Sequence, residues 1–398
     1  NGYSMKTLLL IDAYAMIYRA YYAFIRAPRM NSRGENTSAV FGFVVTFEDL
    51  LKRLKPTHIA VAFDPAGPTF RHEAFEQYKA QRQETPEDIR WAVPRIKQIL
   101  QAMNVPVLEV PGYEADDVIG TIAHKAEKEG FEVYMATPDK DYGQLVTEHV
   151  FMYRPRHTGG FEKLGPQEVC EKYALQNQLQ VIDLLGLMGD SSANIPGCKG
   201  VGEKTAAQLL QQFGSIDNLL ANTEQLKGAL QRKIQEHVED IRFSRFLATI
   251  KTDVPIDFDA ELLVCQERNW EQLAPLYREL EFNSLLKQAP ADLANDLTTP
   301  AKKTTKKLKQ PEATLDLFAA AVPDTTPIPL REDTVEMHNE TQEMKESFEG
   351  RLVSYLLNPE VAYNPSLPIQ WEALKADSAL WNLYQEVELP LSTILREM

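Results

Sequence analysis

Four separate apolar runs in this 398-residue chain each give way to acidic residues, and that recurrence limits the folds open to it. Thr7 to Ile11 ends in Asp12, His58 to Phe63 ends in Asp64, and Glu132 to Ala136 leads across Thr137 and Pro138 to Asp139 and Asp141. Val105 to Val110 reads as another, buried strand, after which Glu114, Asp116 and Asp117 open an amphipathic helix through Val118, Ile119 and Ile122. Helices are expected at residues 15–24, 38–54, 86–103, 115–129 and 139–146. This alternation predicts an α/β domain through residue 155. From residue 166 onward helix signals dominate, with Ser215 expected to cap a helix beginning near Ile216.

In an open parallel sheet the strand carboxyl ends face one crevice. Seven carboxylates from four strand ends would then meet there: Asp12, Asp64, Glu114, Asp116, Asp117, Asp139 and Asp141. An acidic first turn taken alone needs no ligand, but the helix dipole offsets only about 0.3–1 kcal/mol per charge. Three carboxylates in four positions, with others at neighbouring strand ends, require a cation. Oxygen donors without His or Cys suit Mg2+ or Mn2+ rather than zinc. Mg2+ usually takes only one or two protein carboxylates, so this many point to two or more ions flanking a scissile phosphodiester.

Two further stretches suit a polyanion. Thr69 to Arg82 interleaves cations with aromatics, and Arg71, Tyr78 and Arg82 can share one helix face; the plainer alternative is a solvated helix with its rings turned inward. Between Gly186 and Ala206, Asp190 closes a helix and adds an eighth carboxylate. Gly197, Gly200 and Gly202, flanked by Lys199 and Lys204, then form a turn into a helix near Glu203. Glycines let backbone N–H groups approach a phosphate and a helix N-terminus adds a favourable dipole, whereas the bland reading is a tight connection.

The net charge of −15 does not exclude a nucleic-acid partner, because it is unevenly spread. Residues 312–398 hold 16 acidic and 5 basic residues, so −11 of the −15 lies there and −4 lies in the first 311 residues. With eight metal-site carboxylates neutralised, that −4 becomes about +4. The three cysteines, Cys170, Cys198 and Cys265, are far apart and odd in number, which argues against a disulfide framework or zinc knuckle and fits a reducing cytoplasm. No apolar stretch approaches the roughly 20 residues that span a bilayer. A monomer without a membrane partner is expected.

Eight short words occur in order: Leu-Ile-Asp-Ala-Tyr at 10–14, Tyr-Arg-Ala-Tyr at 18–21, Val-Ala-Phe-Asp at 61–64, Thr-Phe-Arg at 69–71, Tyr-Lys-Ala-Gln-Arg at 78–82, Glu-Ala-Asp-Asp at 114–117, Asp-Lys-Asp at 139–141 and the run from Gly189 to Ala206. On these words, residues 6–287 resemble the structure-specific 5′ nucleases, a family that includes flap endonucleases and the 5′ nuclease region of bacterial DNA polymerase I. The resemblance implies a PIN-like α/β fold, a mixed, mostly parallel sheet with a helical arch over the active site. An α-helical DNA-binding part with a helix-hairpin-helix element would follow. It also implies a 5′-3′ exonuclease or 5′-flap endonuclease that hydrolyses DNA by a two-metal mechanism in replication and repair, on flapped, nicked or branched duplexes.

By the same resemblance, Asp12, Asp64, Glu114, Asp116 and Asp117 would surround a first metal group, and Asp139, Asp141 and Asp190 a second. Lys79 and Arg82 would be catalytic arch cations, Tyr78 would contact the nucleotide, and Arg19 and Arg71 would steady the DNA backbone. Gly197, Lys199, Gly200, Gly202, Lys204 and Thr205 would hold the duplex, with a K+ ion on the hairpin carbonyls. One position departs from the pattern. Where the family reads Gly-Asp-Ser-Ser-Asp-Asn, residues 189–194 have Ala193 in place of the second aspartate. A methyl group cannot ligate metal, so slower turnover with DNA binding retained is expected; the alternative is a flap-DNA-binding module without useful catalysis.

The expected divisions are a nuclease domain at 5–175, a helical DNA-binding part at 176–287, a flexible basic linker at 288–311 and a tail at 312–398. The tail resembles the region that precedes the polymerase domain in the same family of proteins, and no polymerase motifs follow it. Met5 reads as the natural start, and the whole as a shortened piece of a larger protein.

Overall fold

The computed structural model describes residues 6–156 and 159–294. The chain divides into two units, residues 1–325 and 326–398, and the described residues all belong to the first. The expected tail and most of the expected linker lie outside the described residues.

Strand β1 (Thr7–Asp12) runs directly into helix α1 (Ala13–Ala23), because Asp12 ends the strand and caps the helix: its Oδ1 accepts from the N–H of Ala15 at 3.2 Å. There follow α2 (Ser38–Leu54), β2 (His58–Ala62), α3 (Phe70–Ala74), α4 (Glu87–Ala102), β3 (Val107–Leu108), α5 (Ala115–Lys128) and β4 (Glu132–Ala136). Strands β5 (Val150–Pro155) and β6 (Phe161–Leu164) complete the sheet. The helical part comprises α6 (Pro166–Tyr173), α7 (Gln180–Met188), α8 (Glu203–Phe213), α9 (Ile216–Ala221), α10 (Gly228–Glu236) and α11 (Val238–Ala248). It ends with α12 (Ala260–Leu263), α13 (Trp270–Glu279), α14 (Asn283–Leu286) and α15 (Ala291–Ala294).

The strands lie in the order β3-β2-β1-β4-β5-β6, parallel except for the antiparallel pair β5–β6, which is the mixed, mostly parallel sheet expected. Central β1 is buried on both faces: Leu8 and Leu10 enter one apolar cluster, Leu9 and Ile11 the other. That double burial is why its sequence is an unbroken apolar run rather than an alternation. The first cluster joins Ile119 of α5 to Leu184, Leu210 and Leu247 of the helical part, so residues on both sides of position 175 share one core. The second joins Ile17, Phe43, Ile96 and Leu273, from α1, α2, α4 and α13. Sequence order reverses between β1 and β4, which opens a crevice beyond their carboxyl ends.

Several elements differ from expectation. The strand expected over Val105 to Val110 shrinks to the half-exposed pair Val107–Leu108 at the sheet edge, where Pro106 and Pro111 have no N–H to offer a ladder. The helix expected over 139–146 is a 3₁₀ turn, Lys140–Leu145, capped by Asp139. Helix α15 falls inside the expected linker and is held there, since Arg278 donates to the Leu293 carbonyl and Leu293 packs on the second cluster. Around the expected arch cations the chain is not helical: α3 stops at Ala74 and residues 75–82 run in successive turns before α4, with Lys79 in the left-handed region at φ 57°. Ser215 does cap α9, accepting from the N–H of Asn218 at 3.1 Å. Among the described residues no helix is long and apolar enough to cross a membrane.

Candidate metal centre

Each element delivers an acid to the crevice. Asp12 ends β1, Asp64 follows β2, Glu114 caps α5 with Asp116 in its first turn, and Asp139 and Asp141 follow β4. Asp190 arrives from the helical part, where Gly189 (φ +70°) terminates α7. The fully buried Tyr142 stands among them and donates to Asp12 Oδ2 at 3.1 Å. Burial, and then the charges of Asp12, Asp116, Asp139 and Asp64, push its hydroxyl well above the ordinary tyrosine range. Acids from four strand ends therefore act on one ring. Thr137 Oγ1 also reaches Asp12 Oδ2 at 3.3 Å, and the Ala115 N–H holds Asp64 Oδ1 at 2.7 Å.

Without a cation this arrangement is electrostatically costly. Burial and the neighbouring Asp64 push the Asp12 carboxyl up to about 7. Burial raises Asp64 despite Lys79 nearby, and it raises Asp116 and Asp141 well above the usual carboxylate range, Asp141 with the added charge of Asp139 and Asp190. Asp141 Oδ1 is also buried without a hydrogen-bond partner. An unpaired buried acceptor costs about 1–3 kcal/mol, which a hard cation would relieve. The donor set fits a divalent metal: Asp12, Asp64, Asp116, Asp139, Asp141 and Asp190 are all carboxylates, and none of these residues is wholly buried.

Four expected roles need correction. Asp117 lies with Glu114 and Asp116 in a group whose oxygens are within 4.8 Å of one another, but it is no free ligand. It is fully buried, and its oxygens accept from Arg71 Nη1 (2.8 Å) and Nη2 (2.9 Å), the Lys251 N–H (2.8 Å) and the Glu114 N–H (3.1 Å). Arg71, only 1% exposed, faces these carboxylates and not solvent, so it cannot steady a DNA backbone. Tyr78 is 5% exposed and donates to Glu114 Oε2 at 2.9 Å, so its hydroxyl is turned inward and is not offered to a nucleotide. Gly197 is buried and its N–H binds Ser244 Oγ at 2.8 Å, which leaves no donor for a phosphate.

Glu114 is the most crowded carboxylate. Burial works to raise it, yet Lys79 and Arg71 hold it below the usual carboxylate range. Lys79 Nζ sits on Glu114 Oε1, and Arg82 Nε donates to the Ser192 carbonyl at 3.0 Å, so the two cations stand beside the crevice on the 75–82 turns. Arg19 is half-buried on α1. Of the glycine turn, Lys199, Gly200, Gly202 and Lys204 are exposed and Thr205 is partly so. A side chain built on Gly200 would lie 2.6 Å from Lys233 Nζ, which adds a cation from α10 that sequence reasoning did not find. Tyr142 was also missed, although its place directly after Asp139-Lys140-Asp141 was a usable signal.

A mostly parallel sheet with an all-oxygen acidic cluster at its crevice and cations alongside is the arrangement of an enzyme that handles phosphate esters through divalent metal. Residues 7–174 match the 5′-3′ exonuclease N-terminal resolvase-like domain, and residues 176–271 the 5′-3′ exonuclease C-terminal SAM fold. The chain belongs to the 5′-3′ exonuclease family. DNA polymerase I of Bacillus caldotenax is 41% identical over 286 residues, 71% of this chain and 32% of that protein. The thermostable DNA polymerase I of Thermus filiformis is 43% identical over 284 residues, 71% of this chain and 33% of that one. The chain thus spans about a third of the length of these relatives. Among solved structures, T5 5′-exonuclease with bound zinc shares the fold at a TM-score of 0.53 and 19% identity, covering 70% of this chain and 99% of that one. A bacteriophage T5 flap endonuclease in a pseudo-enzyme–product complex with DNA and metal ions does so at 0.53 and 20%, covering 69% and 100%.

Proposed function

We propose that this chain is a structure-specific 5′ nuclease, the 5′-3′ exonuclease part of a DNA polymerase I acting in replication and repair. It cuts DNA phosphodiesters near the 5′ end of flapped, nicked or branched duplexes. The observation that carries this reading is that Asp12, Asp64, Asp116 and Asp139 follow four neighbouring strand ends of one sheet, where Tyr142 and Thr137 hydrogen-bond Asp12 and the Ala115 N–H binds Asp64. Two or more Mg2+ or Mn2+ ions bound by these carboxylates with Glu114, Asp141 and Asp190 would polarise the scissile phosphate and acidify the attacking water.

The chain's own side chains do the rest. Lys79 and Arg82 turn from Glu114 and Ser192 onto the charge that develops on the phosphate. Lys199, Gly200, Gly202, Lys204 and Thr205 grip the duplex as a hairpin between α7 and α8, with K+ on its carbonyls, reading backbone rather than bases. Arg19 supports the strand near α1. We keep 5–175 as the cutting part and 176–287 as the grip. We read the protein as a cytoplasmic monomer, a setting that its three unpaired cysteines suit.

A second reading, a flap-DNA-binding module with weak catalysis, is favoured by Ala193, which puts a methyl group in the 3₁₀ turn Ser191–Ala193 beside Asp190. A 5′-labelled flap duplex incubated with Mg2+ or Mn2+ separates the two. Short labelled products support the nuclease; tight binding with the DNA left intact supports the module.

A further inference from the structure

A guanidinium has five N–H donors, and all those of Arg71 are engaged inside the protein. Nε donates to the Leu247 carbonyl at 2.8 Å, Nη1 to Glu114 Oε2 at 2.9 Å and Asp117 Oδ2 at 2.8 Å, and Nη2 to Asp117 Oδ1 and the Thr249 carbonyl, both at 2.9 Å. We infer that Arg71 is a positioning residue: it sets Glu114 against the other carboxylates, registers the helical part on them, and makes no contact with DNA. This rests on the metal-centre reading proposed above.

The geometry is that of a staple. One edge of the planar fork meets the carboxylates at the start of α5, and the other meets carbonyls at the end of α11, where the last turn leaves acceptors without helical partners. Gln144 completes the join, donating to the Ala248 carbonyl at 3.0 Å and accepting from the Ile250 N–H at 2.9 Å. Helix α11 also carries Ser244, whose Oγ receives the Gly197 N–H at 2.8 Å. The glycine turn, α11, Arg71 and Glu114 are thus linked in one chain of hydrogen bonds. Lysine cannot replace the fork, because its ammonium is a compact charge with three donors.

Two measurements test this, one of them independent of catalysis. The first is flap-duplex affinity in EDTA over a range of salt, for the parent, Arg71→Gln and Lys204→Ala, with folding checked by thermal melting. Arg71→Gln should keep the parental slope of log K against log salt, whereas Lys204→Ala should lower it by about 1. The second is Mg2+-dependent cleavage by Arg71→Lys and Asp117→Asn, two variants that keep a cation at position 71. Both should need at least about 10-fold more Mg2+ for half-maximal rate and lose kcat with KM unchanged. A lowered slope in Arg71→Gln, or parental Mg2+ dependence in Arg71→Lys, overturns the inference, and the second result decides alone if Arg71→Gln does not fold. A parent chain that shows no Mg2+-dependent cleavage overturns the nuclease reading in favour of the binding module instead, and the EDTA binding data remain interpretable.

Discussion

Tyr142 and Asp12 share a 3.1 Å hydrogen bond at the floor of the crevice, and the tyrosine that makes it is fully buried. A partner of this kind orients a ligating carboxylate, and losing one typically costs 10–100-fold in metal affinity. Tyr142→Phe, which removes only the hydroxyl, should raise the Mg2+ concentration for half-maximal cleavage by about that factor. Circular dichroism should stay parental.

Stability without metal should fall as pH rises. Asp12 has a folded value of about 7 against about 3.9 for an unfolded aspartate, so the folded state binds more protons between those values. Asp64, Asp116 and Asp141 shift in the same direction. Glu114 is shifted downward and acts only in the acid range, where its stabilisation is lost as pH falls. In EDTA the melting temperature should therefore drop from pH 5 to pH 8, and Mg2+ should raise it more at pH 8 than at pH 5. A pH-independent Mg2+ effect would count against metal binding at these acids.

Ala193→Asp adds a carboxylate in the turn that Asp190 caps. Flap cleavage should become faster while the protein still binds the flap duplex in EDTA. Equal cleavage rates would mean that the methyl group at 193 is not what limits turnover.

Lys79→Ala removes the ammonium on Glu114. If that cation moves to the phosphate during cleavage, single-turnover rates should fall about 10²–10³-fold, the cost of losing one preorganised donor. A loss of affinity without a loss of rate would assign Lys79 to binding alone.

The glycines of the turn should separate by role. A Cβ on Gly197 would sit 2.3 Å from the Gly189 nitrogen, at φ +60°, so Gly197→Ala should lower the melting temperature and weaken every activity together. At Gly202 a Cβ meets nothing within 4 Å. Gly202→Ala should melt with the parent yet bind the flap duplex less tightly, because on the proposed grip the methyl would stand where a phosphate approaches.

The strand-end acids were legible because β1 and β2, buried on both faces, leave unbroken apolar runs that stop where charge begins. Asp116 and Asp117 were not separable in the same way. Adjacent residues on a helix point about 100° apart, which turns Asp116 to the crevice and Asp117 to Arg71. Nothing in Thr69 to Arg82 distinguishes an arginine aimed at DNA from one buried against carboxylates, since both sit among aromatics. The turns at 75–82 depend on a left-handed Lys79, a conformation that lysine rarely adopts and sequence patterns do not signal.

The most direct test is calorimetric titration of Mg2+ into the metal-free protein, alongside Asp12→Asn and Asp139→Asn, which alter acids at the ends of β1 and β4. If acids from separate strands build one cation centre, the parent binds at least two ions with proton release, and each substitution weakens that binding. Parental Mg2+ binding in both variants would contradict it.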